Sequence, residues 1–383
     1  MTRILVPFGT RPEIVKLAPV IEALHGAGHD VHSVATGQHD DPMLSEAFFA
    51  DLTVDPDVRH VLPEGESARI GVLVAHAYED VPRVEPDVVV VLGDTNTVPA
   101  YALAARRFGV PVAHLEAGLR SFNPRSLEEV NRRVGGVTAS LQLAPTELAA
   151  RFLRDEGIPP ERIRVVGNPI TDVLLRLAPP PRPPDDRHGV VVTAHRATNV
   201  DDPARLARLV ELLRGLATDV GSVRFPVHPR TRARLEETGA LATLERTPGL
   251  QLEPPLRYAD MLDAVAGARV VVTDSGGLQE EASWFGVPVV VLRTTTPRWE
   301  GVLAGTARLT GLDVDAARTA VRELGEATAQ EHAAGLPCPY GDGHVAARVV
   351  DALADAERRG LLGITEPALG AALPPAVTNA APA

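Results

Sequence analysis

Short runs rich in Val, Ile and Leu recur along the chain, at 3–8, 31–36, 87–92, 110–115, 163–166, 190–194, 223–227, 269–273 and 287–292. Each is followed by a polar or Gly-rich turn and then by a stretch of helical character. Strands that alternate with helices predict parallel βαβ units. Runs this continuously apolar predict sheets covered on both faces. The pattern therefore predicts two doubly wound α/β halves. Between them lies Pro179-Pro180-Pro181-Arg182-Pro183-Pro184, which fits neither helix nor sheet and predicts an extended, semi-rigid joint. The first predicted domain is 1–177 and the second 178–345. A helix over roughly 343–360 then leads into a terminal region, 346–383, whose Ala/Pro-rich tail has little to bury and is expected to be mobile. In open parallel sheets, ligands bind beyond the carboxyl ends of the strands. Residues just after each apolar run are thus functional candidates, and those within it are core.

Composition narrows the picture. The chain has 383 residues, enough for two domains at ~100–200 residues each. Hydrophobic residues are 45% and charged residues 23%, an ordinary soluble balance. The formal net charge of −12 argues against a partner bound through its phosphate backbone, so no nucleic acid is expected. The single cysteine, Cys338, excludes an intrachain disulfide and fits a reducing, cytoplasmic setting. No apolar run approaches the ~18 residues of a membrane span. The opening Met1-Thr2-Arg3-Ile4 enters a strand-like segment without the layout of a signal peptide. Of 38 basic residues only Lys16 is a lysine. Either it survives by chance in an arginine-rich background, or its position needs a compact ammonium that a planar guanidinium cannot replace.

Several strand ends carry chemistry. After the first comes Phe8-Gly9-Thr10-Arg11-Pro12-Glu13-Ile14-Val15-Lys16. Thr10 and Glu13 fit a capping box, with a proline tolerated in the first turn. Gly9, Arg11 and Lys16 beside a helix N-terminus also fit an anion site. After the third come Gly93-Asp94-Thr95, and the next ends in Glu116-Ala117-Gly118-Leu119-Arg120. Asp94 and Glu116 are thus expected at neighbouring strand ends, where close carboxylates push their pKa values apart and suit paired acid/base work. Either one singly would more often cap a helix. Ser126 and Glu129 fit a second capping box, leaving Glu128 to share a face with Arg132 at i,i+4. In the second half, strands run into His195-Arg196 and His228-Pro229-Arg230; such histidines are structural or act as acids, bases or phosphate donors. The sharpest local signal is Thr273-Asp274-Ser275-Gly276-Gly277-Leu278-Gln279-Glu280-Glu281. Its paired glycines let backbone N–H groups approach an anion at a helix start. The loop Arg293-Thr294-Thr295-Thr296-Pro297-Arg298-Trp299-Glu300 carries cations, hydroxyls and a carboxylate suited to a nucleotide. No metal-ligand set emerges, so no metal cofactor is expected and catalysis would rest on charge and hydrogen bonds.

In this order, together with Gly167-Asn168 and Pro339-Tyr340-Gly341-Asp342-Gly343, these motifs resemble the UDP-N-acetylglucosamine 2-epimerase family over about residues 3–357. The resemblance implies the two-domain glycosyltransferase-B fold, with a cleft between two Rossmann-like domains. It implies interconversion of UDP-N-acetylglucosamine and UDP-N-acetylmannosamine by a non-hydrolysing, metal-free isomerase, with a UDP-N-acetylhexosamine substrate, no membrane partner and a homodimeric assembly. It marks Asp94, Glu116 and Glu128 as acid/base carboxylates, joined by His195, Arg11, Lys16 and Arg132. It gives UDP to His228, Ser275, Gly276, Gly277, Glu280, Arg293, Thr295 and Glu300. The family's activator site would involve Gln38 and His39.

Three departures stand out. His195-Arg196 is followed by Ala197-Thr198-Asn199, which lacks the family's glutamate. Leu62-Pro63-Glu64-Gly65-Glu66 does not reproduce its Pro-Gly-Gln activator segment. Arg298-Trp299-Glu300 replaces its Arg-Pro-Glu. The rival functions are a hydrolysing epimerase that releases UDP and N-acetylmannosamine, a glycosyltransferase, and a catalytically silent nucleotide-sugar sensor.

Overall fold

The computed structural model describes residues 1–38, 55–63 and 65–363. His39, the activator segment's Glu64 and the tail from 364 onward lie outside these described residues. The first sheet contains β1 (Arg3–Phe8), β2 (Asp30–Ala35), β3 (Val58–Arg59), β4 (Val88–Leu92), β5 (Val112–Leu115), β6 (Leu141–Ala144) and β7 (Ile163–Val165). Its order is β3-β2-β1-β4-β5-β6-β7, parallel throughout. The second contains β8 (Val190–Thr193), β9 (Val223–Pro226), β10 (Leu250–Glu253), β11 (Val270–Thr273), β12 (Val289–Val291) and β13 (Ala307–Leu309). Its order is β10-β9-β8-β11-β12-β13, again all parallel. The chain is thus the expected pair of doubly wound, Rossmann-like sheets.

The order reverses between β1 and β4 in the first sheet and between β8 and β11 in the second. At such a reversal the crossover helices diverge to opposite faces and open a crevice beyond the carboxyl ends. The segments after β1, β4, β8 and β11 are those that hold Gly9–Glu13, Gly93-Asp94, His195-Arg196 and Ser275–Gly277.

Packing follows the patterning. Every residue of β4 is buried, as a central strand covered on both faces must be. Helix α1 (Arg11–Gly26) covers one face of the first sheet through Ile14, Leu17, Val20, Ile21 and Leu24. The helix expected near 343–360 spans Val345–Arg358. Its Val345, Val349, Leu353 and Ala356 pack against Ile4, Val6 and Leu17, so the chain returns from the second sheet to close the first core. Asp172, in the helix Ile170–Leu177, accepts from the Val345 and Ala346 N–H groups at 2.9 and 3.0 Å and caps that returning helix. The proline-rich joint ends in a 3₁₀ turn, Pro184–Asp186. No helix among the described residues is long and apolar enough to cross a membrane.

Candidate active site

Helix α1 begins where β1 ends. Thr10 has the extended backbone of an N-cap, φ −135° and ψ 156°, but its hydroxyl does not cap the helix. Instead it donates to Glu13 Oε2 at 2.8 Å, and Glu13 also accepts from the Gly9 N–H at 3.0 Å and from Thr95 Oγ1 at 2.8 Å. Neither half of the expected capping box forms: Glu13 reaches past the Thr10 N–H to that of Gly9. Burial raises the Glu13 carboxyl to about 7 against the pull of those three donors. Arg11, half-buried one residue past the cap, is held below the usual guanidinium value by burial.

One turn on, Lys16 is buried between the two domains. Its ammonium bonds Glu116 Oε1 and, at 2.8 Å, Glu280 Oε2. Asn168 donates to Glu116 Oε1 at 2.7 Å and to Glu280 Oε1 at 3.1 Å. Arg298 completes the cluster through Nε to Glu280 Oε1 at 2.8 Å. Burial alone would raise the Glu116 carboxyl; Lys16, then Arg298, with hydrogen bonds from Lys16 and Asn168, hold it below the usual carboxylate range. The backbone at Glu116 is left-handed, φ 60°, a conformation a non-glycine residue keeps only when its surroundings fix it.

Asp94 and Glu116 follow the neighbouring strand pair Leu92–Leu115, as expected. Each has acquired its own cation. Asp94 pairs with Arg132, and Arg132 also reaches Glu129 Oε2 at 3.2 Å. Arg132 therefore does not make the i,i+4 pair with Glu128 that the spacing predicts. Ser126 likewise does not cap its helix, Leu127–Thr138. Its hydroxyl donates to Glu128 Oε2, while Glu129 accepts from Ser121 N and Oγ at 2.8 and 2.9 Å. Glu128 meets Arg196 of the second domain at 3.7 Å. Burial would raise its carboxyl, but the Ser126 hydroxyl, its own backbone N–H, Arg196 and Arg132 bring it below the usual range.

The second domain contributes the facing wall. Asp274, fully buried, accepts from the His195 N–H at 3.1 Å, the Arg196 N–H at 2.9 Å and Asn199 Nδ2 at 3.0 Å. His195 Nδ1 lies 3.2 Å from Asp274 Oδ1. His228 is the N-cap of the next helix, its Nδ1 accepting from the Arg230 N–H at 3.2 Å. The two imidazoles lie 5.3 Å apart. Both are held below the usual histidine value, His195 by burial and then Arg196 and Arg230, His228 by burial and then His195 and Arg230, against the pull of Asp274. In the neutral form His228, whose Nδ1 accepts, presents Nε2–H as a donor, whereas His195, whose Nδ1–H faces Asp274, leaves Nε2 as an acceptor. Ser275 caps the helix Gly276–Trp284, accepting from the Leu278 N–H at 3.4 Å.

Beside this turn lies a cluster of guanidinium groups in which Arg196, Arg132 and Arg298 each meet a carboxylate. Arg293 Nη1 is buried without a hydrogen-bond partner. Burial, then Arg196, Arg298 and Arg132, lower its guanidinium to about 10, with Glu128 the one acid acting on it. A buried cation left unpaired is costly, and an anion is what would relieve it. Arg196 ties this cluster to the Ser275 turn through Nε to the Asp274 carbonyl at 3.0 Å.

Other expected residues are placed differently. The Glu280 carboxylate is engaged by Lys16, Asn168 and Arg298 (see above). Glu300 accepts from Thr146 Oγ1 at 2.6 Å and Tyr340 Oη at 3.4 Å. Thr295 is half-buried in the loop. Gln38 lines a separate cleft of about 370 Å³ with Leu62, Arg69, Ile70, Leu73 and Asn96, and its Oε1 is buried without a partner. The sequence pattern singles out neither Asn168 nor Glu281 as a site residue, and it places Arg298 in the nucleotide loop rather than on the Glu280 carboxylate. Glu281 is buried against Tyr258 and raised to about 7 by that burial. The adjoining Gly-Asn and Pro-Tyr-Gly motifs were the available signal: Asn168 N donates to the Tyr340 carbonyl at 2.7 Å.

Comparison with known proteins agrees with this geometry. The family model described as UDP-N-acetylglucosamine 2-epimerase matches residues 22–354. A UDP-N-acetylglucosamine 2-epimerase of Methanocaldococcus jannaschii is 36% identical over 81% of this chain and 88% of its own length. A UDP-2,3-diacetamido-2,3-dideoxy-D-glucuronate 2-epimerase of Pseudomonas aeruginosa is 35% identical over 92% of this chain and 99% of its own. The crystal structure of the M. jannaschii enzyme in complex with UDP-GlcNAc and UDP superposes with a TM-score of 0.83 at 33% identity, covering 92% of this chain and 99% of that one. The two switch-point crevices, the carboxylates lining one and the glycine turn of the other, belong with these matches to one lineage: the chain is a member of the UDP-N-acetylglucosamine 2-epimerase family.

Proposed function

We propose that this enzyme interconverts UDP-N-acetylglucosamine and UDP-N-acetylmannosamine by eliminating UDP and adding it back. The observation that carries the reading is the facing arrangement: three carboxylates, each beside its own cation, oppose the unpartnered Arg293 next to the Ser275 turn. In this reading residues 1–177 hold the sugar, residues 178–345 hold UDP, and the helix from 346 crosses back.

The hydrogen on sugar carbon 2 is hardly acidic until the bond from carbon 1 to the UDP oxygen breaks. The electron pair of that bond leaves with UDP. Arg293, Arg196, the Nε2–H of His228 and the N–H groups after Ser275 receive the charge that develops, with His195 held beside them by Asp274. Carbon 1 becomes cationic, a carboxylate takes the proton from carbon 2, and the carbon 1–carbon 2 double bond of a 2-acetamidoglucal forms. Return of a proton to the opposite face, with attack of the UDP oxygen on carbon 1, completes the inversion. Glu116, held ionised by Lys16, is free to accept a proton although that pairing weakens it as a base; Asp94 and Glu128 supply the remaining acid/base capacity. Arg11, Lys16 and Arg132 set the charge of those carboxylates. The enzyme is taken to work in the cytoplasm as a homodimer, which sedimentation checks.

Incubation with UDP-N-acetylglucosamine in D₂O tests the reading. Deuterium at carbon 2 and accumulation of UDP-N-acetylmannosamine to an equilibrium mixture are expected. Free N-acetylmannosamine with stoichiometric UDP would replace it with the hydrolysing alternative, and turnover of the diacetamido-glucuronate nucleotide alone would reassign the substrate.

A further inference from the structure

The loop after β12 departs from the family pattern at Trp299, and that residue reaches into the other domain. Its indole Nε1 donates to the Arg120 carbonyl at 2.8 Å. Its ring lies 6.4 Å from that of Phe122, which meets Phe152 edge-on at 5.1 Å. Arg120 and Phe122 belong to the segment that joins Glu116 to Glu128. That segment is held under strain: Phe122 has φ 55° and Glu116 φ 60°. Such backbones persist only when neighbours over-determine them. Arg120 is itself fixed, fully buried and bonded through Nε and Nη2 to the Glu156 carboxylate at 2.8 and 2.6 Å. The neighbouring Glu300 anchors the same wall at Thr146, at 2.6 Å.

We propose that Trp299 is a positioning residue: its bond to the Arg120 carbonyl sets the strained segment between Glu116 and Glu128 and keeps the cleft shut while UDP and the unsaturated sugar recombine. The inference rests on the elimination reading above. A proline at this position would carry no side-chain donor and could not make the bond. Trp299 touches none of the reacting atoms; it acts through the segment it pins. Loss of the indole N–H would let the segment relax and the two fragments escape before they rejoin.

The test compares Trp299→Phe, which keeps a ring against Phe122 but loses the donor, with the wild type. The expected result is a fall in kcat of about 3- to 10-fold, the scale of one neutral hydrogen bond, with KM little changed. The fraction of turnovers ending in free UDP and 2-acetamidoglucal should rise. A purely structural role would lower the amount of folded enzyme without changing that partition. Wild-type kcat with no rise in released UDP would overturn the proposal. The chain has two tryptophans, so Trp284→Phe leaves Trp299 as the sole tryptophan, excited to the red of tyrosine absorption. UDP should change its emission as the cleft closes, and an emission indifferent to saturating UDP would also overturn the clasp. If the wild type shows no exchange at carbon 2, the elimination reading fails, whereas this fluorescence measurement still decides the clasp on its own.

Discussion

Replacing Lys16 by methionine removes the chain's one ammonium from between two buried carboxylates. The side chain is similar in length, so the main loss is charge. Glu116 and Glu280 are left with Asn168 and Arg298 as their remaining donors. Removing one partner of a buried ion pair costs ~3–5 kcal/mol, because the charge left behind is uncompensated. The pH dependence has a definite sign. In the wild type the Glu116 carboxyl is held below its ordinary value of 4.5. Its contribution is complete above that value and is lost as the pH falls through the lower, folded value. Without the ammonium, burial dominates and pushes the carboxyl above 4.5, so ionising it destabilises the variant as the pH rises. The gap between the two proteins should be widest at pH 7 and narrow toward pH 5. Urea unfolding, followed by circular dichroism and fluorescence because two domains need not unfold together, measures it. Lys16→Arg keeps the charge and should recover most of the pH dependence while losing activity, since a guanidinium beside Arg298 has no room. A Lys16→Met protein as stable as the wild type at pH 7, with no change in the difference at pH 5, would refute the coupling.

Three further outcomes are expected. Asp94→Asn and Glu116→Gln should each lower turnover by at least ~10²-fold with smaller effects on UDP affinity, read by steady-state kinetics and calorimetry; near-normal rates in both would remove them from the mechanism. Arg293→Met should weaken UDP binding by about 10- to 150-fold, the scale of a charged hydrogen bond, while leaving the ligand-free protein no less stable, because a buried unpaired cation is gone. Glu13, raised to about 7 by burial, binds a proton in the folded state that the unfolded chain releases near 4.5, so stability falls as the pH rises between those values. Glu13→Gln should flatten that part of the profile, and an unchanged slope would assign it to other groups.

Most strands legible in the sequence lie inside the sheets, where burial on both faces leaves an uninterrupted apolar run; the exception is β7, a three-residue edge strand that the short run 163–166 marks. Those not singled out are short or mixed. Gln142 breaks the run of β6 and is buried there because its amide donates to the Gly136 carbonyl at 2.7 Å. At the sheet edges, β10 is largely half-exposed and polar at Gln251 and Glu253, and β3 and β13 span two and three residues. For the site, strand ends were enough to bring Asp94 and Glu116 together, and the wall carrying His195, His228 and Ser275. The partners of those residues were not readable. Lys16 and Glu280 are 264 positions apart, and local spacing says nothing about such a pair. Local spacing also misled: at Thr10 and Ser126 a nearby carboxylate captured the hydroxyl proton, so neither oxygen turned back to its helix, and Asp94 drew Arg132 away from Glu128.

Both ends of the described chain belong to the first sheet's core, with the second sheet inserted between them. During synthesis β1 and β4 emerge well before the helix Val345–Arg358 that packs on Ile4, Val6 and Val88, with the whole second sheet made in between. Before that helix docks, α1 alone among the helices of this cluster covers the face. The first core is therefore sealed by contacts between residues far apart in sequence, and removing Val345–Arg358 should uncover Ile4, Val6 and Val88 while leaving the second sheet's core whole.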